Sequence, residues 1–136
     1  MKLIEWDDSL LLGVEPVDSH HKHLVSLLGK AQNSFLWGIK QGEIEQILDE
    51  LVAYANYHFA AEEELMLLNN FSGIGAHQEE HESFRRWVAD LRRTHAPDDL
   101  EAYMEVTNVL IEWLVSHIKG IDSQCCSFLH QKAKEC

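Results

Sequence analysis

At 136 residues the chain is long enough to bury a core without staples and short enough to form one domain over 1–136. Its 46% hydrophobic and 25% charged residues are ordinary for a globular protein. The formal net charge of −12 argues against nucleic acid, which demands clustered Lys and Arg to neutralise phosphate. No apolar run approaches the ~18 residues of a membrane span. The N-terminus turns acidic at Glu5, Asp7 and Asp8, too early for a signal peptide. Cys125, Cys126 and Cys136 are an odd number with neither C-x-x-C nor zinc-ribbon spacing, so no disulfide framework is expected and a reducing cytoplasm is the default location. The unusual count is nine histidines.

In chain order, an N-terminal loop of about seventeen residues comes first, with Asp18 as the expected N-cap of a helix running to about Trp37. Gly38 and Gly42 bracket a turn. A second helix is expected from Glu43 to Leu68, stopped by Asn69, Asn70 and Gly73. A third covers about Ile74 to Arg93, with Arg85, Arg86, Arg92 and Arg93 read as a solvated face. The fourth follows Pro97, running from about Asp98 to Lys119, with Gly120 as its C-terminal stop, and Ser123 to about Lys132 forms a short helical tail. Each long segment carries one apolar stripe: Leu24, Leu28, Ala31 and Phe35; Ile44, Ile47, Leu51, Tyr54, Ala55, Leu65 and Met66; Phe84, Val88 and Leu91; Tyr103, Val106, Leu110, Trp113 and Leu114. Four such helices on short loops predict an all-α, up-down-up-down antiparallel four-helix bundle, a fold that holds sites in its core.

The histidines fall on those stripes. At about 100° per residue, His58 shares the face of Leu51, Tyr54, Ala55 and Leu65, and Glu62 lies about 40° away. His77 and His81 extend the Phe84 stripe, and His117 extends that of Leu110 and Leu114. On the first helix His20 and His21 flank the stripe almost symmetrically, while His23 points away; periodicity does not choose between the first two. Glu63 and Glu64 rotate off the face of His58 and read as solvated. Asp122 lies five residues past His117, and a helix end at Gly120 would let a loop return its carboxylate. His95 and His130 read as surface residues.

A lone core histidine is usually only hydrogen-bonded. Five on inward faces, with a glutamate, would each demand a separate buried partner, whereas one multinuclear metal site satisfies them together. Imidazole and carboxylate without thiolate suit hard or borderline metals. Seven ligands exceed one ion's usual shell and suit two octahedral ions sharing carboxylates; a tetrahedral zinc would leave three idle. Two irons come first and two manganese ions second.

The ordered set Trp6-Asp7-Asp8, Gly13-Val14, Val17 to Lys22, His58 to Glu63, His77-Gln78-Glu79-Glu80-His81 and Trp113 to Asp122 resembles the bacterial hemerythrins over nearly the whole chain. The resemblance implies reversible O2 binding at a non-haem di-iron centre. His77, His81 and His117 would be terminal ligands of one iron, and His21 and His58 those of the other, which keeps a position open for O2. Glu62 and Asp122 would bridge the irons beside an oxo or hydroxo group. The resemblance selects His21 as the first-helix ligand; where the family usually has an amide or acid just before it, this chain has His20. Leu114 and Trp113 match the positions of an apolar wall about the O2 pocket.

An O2 carrier, store or delivery protein is therefore the expected function, with O2 the expected partner and NO or small anions as further ligands of the same position. The rivals are a sensor of O2, NO or redox state and a di-iron enzyme reducing peroxide or NO. No catalytic residue is expected: the sequence has no nucleophile elbow, phosphate loop or Cys-His pair.

Overall fold

Apolar residues three and four apart draw four long segments into helices that hide one face each. They are α1 (Val17–Trp37), α2 (Glu43–Leu68), α3 (Ile74–Thr94) and α4 (Leu100–His117). The structure, a computed structural model, describes residues 4–38, 42–96 and 99–134. The Pro97 and Asp98 start foreseen for the fourth helix, Cys136, and the first three residues lie outside them. α1 packs on α2 and α4, and α3 packs on the same two, so the helices form a four-cornered antiparallel bundle. Gly38 and Gly42, at φ 92° and 84°, sit at the α1–α2 link in backbone that a side chain would strain. No helix among the described residues is long and apolar enough to cross a membrane.

The core follows the foreseen stripes except at Leu65, which is only half-buried. Leu24, Leu28, Ala31, Ile44, Ile47, Leu51, Ala55, Met66, Phe84, Val88, Leu91, Tyr103, Leu110 and Leu114 are buried, while Phe35, Tyr54, Val106 and Trp113 pack partly exposed around them.

Two helix ends differ from the sequence reading. Asp18 does not cap α1; Pro16 holds the cap position, and Asp18 lies within the first turn. Its buried carboxylate turns back and accepts from the Leu12 and Gly13 N–H groups at 2.8 and 2.9 Å, which ties the N-terminal loop to the bundle. The fourth helix does not stop at Gly120 either. It passes through one π-helical turn, Ile118–Asp122, into α5 (Ser123–Lys134), with the Ser123 N–H bonded to the Ile118 carbonyl. A Cβ at Gly120 would meet nothing within 4 Å, so this glycine is not needed as a stop.

Candidate metal centre

One end of the bundle collects all seven residues singled out in the sequence. α1 brings His21, α2 brings His58 and Glu62 from successive turns, α3 brings His77 and His81 from successive turns, and α4 brings His117 from its last turn. Asp122 comes from the π-helical turn. On a regular helix, five residues of advance would swing it about 140° away from His117. The wider i→i+5 turn instead brings it round, so that Asp122 Oδ1 lies 3.0 Å from His117 Nε2. A single local distortion, rather than a returning loop, puts the second carboxylate in place.

The side chains of the seven are at most 4% exposed. They form two groups whose ligating atoms lie within 4.8 Å of one another: Glu62 with His77, His81 and His117, and Glu62 with His21, His58 and Asp122. In the first, the three imidazole centroids form a nearly regular triangle of 5.0, 5.1 and 5.1 Å. In the second, His21 and His58 are 4.8 Å apart. The carboxylates reach both groups. Asp122 turns Oδ1 to His77 Nε2 at 2.5 Å and to His117, and Oδ2 to His21 Nε2 at 3.0 Å. Glu62 turns Oε2 to His77 Nε2 at 3.0 Å, while Oε1 contacts His58 Nε2 and lies 4.0 Å from both His21 and His81.

Protons alone do not satisfy this cluster. Nε2 of His21, His58, His81 and His117, together with Glu62 Oε1 and Asp122 Oδ2, are buried without a hydrogen-bond partner. Orphaned groups of this kind are costly, and here ring nitrogens and carboxylate oxygens face one another across short gaps. Two cations between the groups would satisfy all of them. The donor set of imidazole and carboxylate suits hard or borderline metals.

The electrostatics agree with a site built for positive charge. Burial opposes protonation of His77, but hydrogen bonds with Asp122 and Glu62 outweigh it and raise its pKa to about 9. Burial opposes protonation of His117 too, but the Asp122 carboxylate 3.0 Å from its Nε2, with Glu62 beyond, raises its pKa. Burial and the neighbouring His117 and His77 push His81 down to about 2. Burial pulls Asp122 upward, but the surrounding histidines hold it well below the usual carboxylate range.

Several supporting contacts carried no signal in the sequence. Glu80 Oε1 accepts from His117 Nδ1 at 2.7 Å, with Nε2 of that ring turned toward the cluster. Phe59 stacks flat on His81 at 3.9 Å, and the Arg85 guanidinium covers its ring at 5.2 Å. Glu63, read as solvated, is half-buried, with Oε1 3.7 Å from His81 Nδ1. Of the two residues foreseen as an apolar wall, Leu114 is buried in the core, and Trp113 is half-buried and stacks on His117 at 4.5 Å and 12°.

Of the adjacent first-helix pair, both are buried, but only His21 joins the cluster. His20 meets His58 from behind, Nδ1 to Nδ1 at 2.9 Å. Burial, then the nearby His58 and His21, lowers its pKa. His23, His95 and His130 are exposed; His95 pairs with Asp99, and His130 Nε2 sits 3.0 Å from the Leu12 carbonyl. Cys125 and Cys126 are buried free thiols outside both groups, and burial pushes both up, Cys125 to about 12.

The fold and this double cluster define a four-helix-bundle protein with a paired-cation centre of imidazoles and shared carboxylates. The chain belongs to the hemerythrin family: residues 12–125 match the hemerythrin HHE cation binding domain. It is 34% identical to a bacteriohemerythrin of Stenotrophomonas maltophilia over 143 residues, covering 99% of this chain and 90% of the relative. It is 32% identical to a bacteriohemerythrin of Pseudomonas aeruginosa, covering 90% and 79%. A myohemerythrin of Riftia pachyptila is 34% identical over 117 residues, 86% of each chain.

Proposed function

We propose that the chain binds O2 reversibly at a di-iron centre, with His77, His81 and His117 as terminal ligands of one iron, His21 and His58 of the other, and Glu62 and Asp122 bridging. The observation that carries this reading is the way the two carboxylates divide their oxygens between a three-histidine and a two-histidine group. Iron held there would supply the electrons that reversible O2 binding requires. His77, His81 and His117, with an oxygen from each of Glu62 and Asp122, would hold one iron beside a shared oxo or hydroxo group. The other iron would be held by His21 and His58, one imidazole fewer, which would leave room on that side for O2, NO or a small anion.

The protein's own task is to hold this geometry and keep water out. Trp113 and Phe59 brace His117 and His81 flat-on. Glu80 keeps the His117 proton on Nδ1. Leu114, 3% exposed, and the half-buried Trp113 are the apolar side chains that would slow entry of water and protons to the O2 position. Binding rather than catalysis is favoured because neutral imidazoles donate less charge than the carboxylates of ferritin-like oxidases. The free thiols of Cys125 and Cys126 suit a reducing cytoplasm.

The test is the visible spectrum of the iron-loaded protein through repeated cycles of air and anaerobic reduction. The bridged di-iron absorption should return unchanged in each cycle, with little turnover of added peroxide. Irreversible oxidation in the first cycle, or rapid peroxide or NO consumption, would contradict the carrier reading.

A further inference from the structure

His20 is a buried histidine that the seven-residue set does not use. It is 6% exposed, and its ring stands edge-on to His58 at 5.0 Å with the two Nδ1 atoms 2.9 Å apart. Two ring nitrogens at that distance share one proton, so one donates and the other accepts. The other nitrogen of His58, Nε2, faces Glu62 inside the cluster. For that nitrogen to offer a lone pair to a metal, the proton of the neutral ring must sit on Nδ1 and be donated to His20. His20 Nδ1 is then bare, with its own proton on Nε2. Tyr54 and Tyr57 flank the His20 ring at 5.7 and 5.1 Å and hold it against His58.

We propose that His20 is a positioning residue: a neutral imidazole acceptor that locks His58 as an Nε2 ligand and thereby sets the affinity of the two-histidine metal position. Its counterpart across the centre differs in kind. His117 donates its outer proton to a carboxylate, that of the part-exposed Glu80. A carboxylate acceptor draws the proton toward itself and makes the imidazole a stronger donor to the metal; a neutral imidazole does so less. The two metal positions are therefore unequal in their outer contacts as well as in histidine count, with the leaner donor set on the two-histidine side.

The proposal rests on the reading of His58 as a ligand, and cobalt(II) and zinc(II) serve as probes that need no O2 chemistry. In His20→Leu the acceptor is lost while apolar bulk remains. In His20→Asn an amide oxygen stands near the place of Nδ1. Cobalt titration should show His20→Leu weakened by about 10–100-fold at one of two sites, and His20→Asn recovering most of that loss, with the far-UV circular dichroism of both variants matching wild type. Equal affinity of wild type and His20→Leu, or of the two variants, would overturn the role of His20. A second measurement needs no variant: in zinc-loaded, 15N-labelled wild type, the shared proton should be bonded to His58 Nδ1 and show through-hydrogen-bond coupling to His20 Nδ1. A proton on His58 Nε2 would overturn the proposal even if His20→Leu did not fold. Wild type that binds neither probe would instead overturn the metal-site reading, and this proposal with it.

Discussion

The two ends of the bundle are built on opposite principles. Where α1 ends and α2 begins, Leu28, Ala31, Ile44, Ile47, Leu48, Leu51, Val88, Leu91 and Leu110 meet with no partner required beyond close packing. Polar groups that enter there find partners within the bundle: Tyr103 donates to Glu45 at 2.8 Å, and the Thr107 hydroxyl to the Tyr103 carbonyl at 2.8 Å, although Arg92 Nε is left without one. At the other end the same four helices bury five imidazoles and two carboxylates, several atoms of which have no partner among the protein's own groups. The apolar end supplies stability at roughly 25 cal/mol per Å² of apolar surface buried. The polar end carries the cost of its unpartnered groups, which bound cations would offset.

That contrast can be broken most sharply by removing metal. Chelation should collapse amide-exchange protection around His58, His77 and His117 while protection around Leu48 and Leu91 persists; uniform loss at both ends would mean that the bundle has no independent apolar half. Next in size is the loss of single proposed ligands. His58→Ala and His77→Ala should each abolish di-iron binding, and His21→Ala should do the same, whereas His95→Ala and His130→Ala should leave iron content unchanged on elemental analysis. Retention of both irons in His21→Ala would show that its neighbour takes the ligand role.

A pair of core truncations sharpens the comparison further. Leu51→Ala and Leu114→Ala should each cost about 2–5 kcal/mol in denaturant unfolding, as buried leucines do. Only Leu114→Ala should also speed decay of the oxygenated form at equal iron loading; equal decay rates would make Leu114 ordinary core. The smallest effect is expected from replacing Cys125 and Cys126 with serine. Their thiols stay protonated and lie outside both ligand groups, so the iron absorption should be unchanged. A shifted spectrum would bring sulfur into the centre.

How much of this was legible in the sequence follows from helix geometry. The stripes announced four helices because burial and periodicity report the same face. His58 with Glu62, and His77 with His81, were visible because i and i+4 share that face on any regular helix. Asp122 was visible as a candidate but not in its manner of arrival: i and i+5 diverge on an α-helix, and nothing in Ile118-Lys119-Gly120-Ile121 announces a π-helical turn. Asp18 read as a cap because Asp favours that position, yet tertiary contact with the Leu12 and Gly13 amides claims its carboxylate. His20 and His21 were equivalent by periodicity. Only the approach of α2 separates the ring that enters the cluster from the one that meets His58 from behind. Glu80 and Phe59 gave no signal, since a partner on another helix leaves none in local spacing.

The central claim is that one end of this bundle holds two metal ions between shared carboxylates, and metal stoichiometry tests it most directly. Protein produced with ample iron, quantified by elemental analysis against chain concentration, should contain two irons per chain, and both should be lost together in Glu62→Ala. One metal per chain, or zinc alone with iron available, would contradict the account.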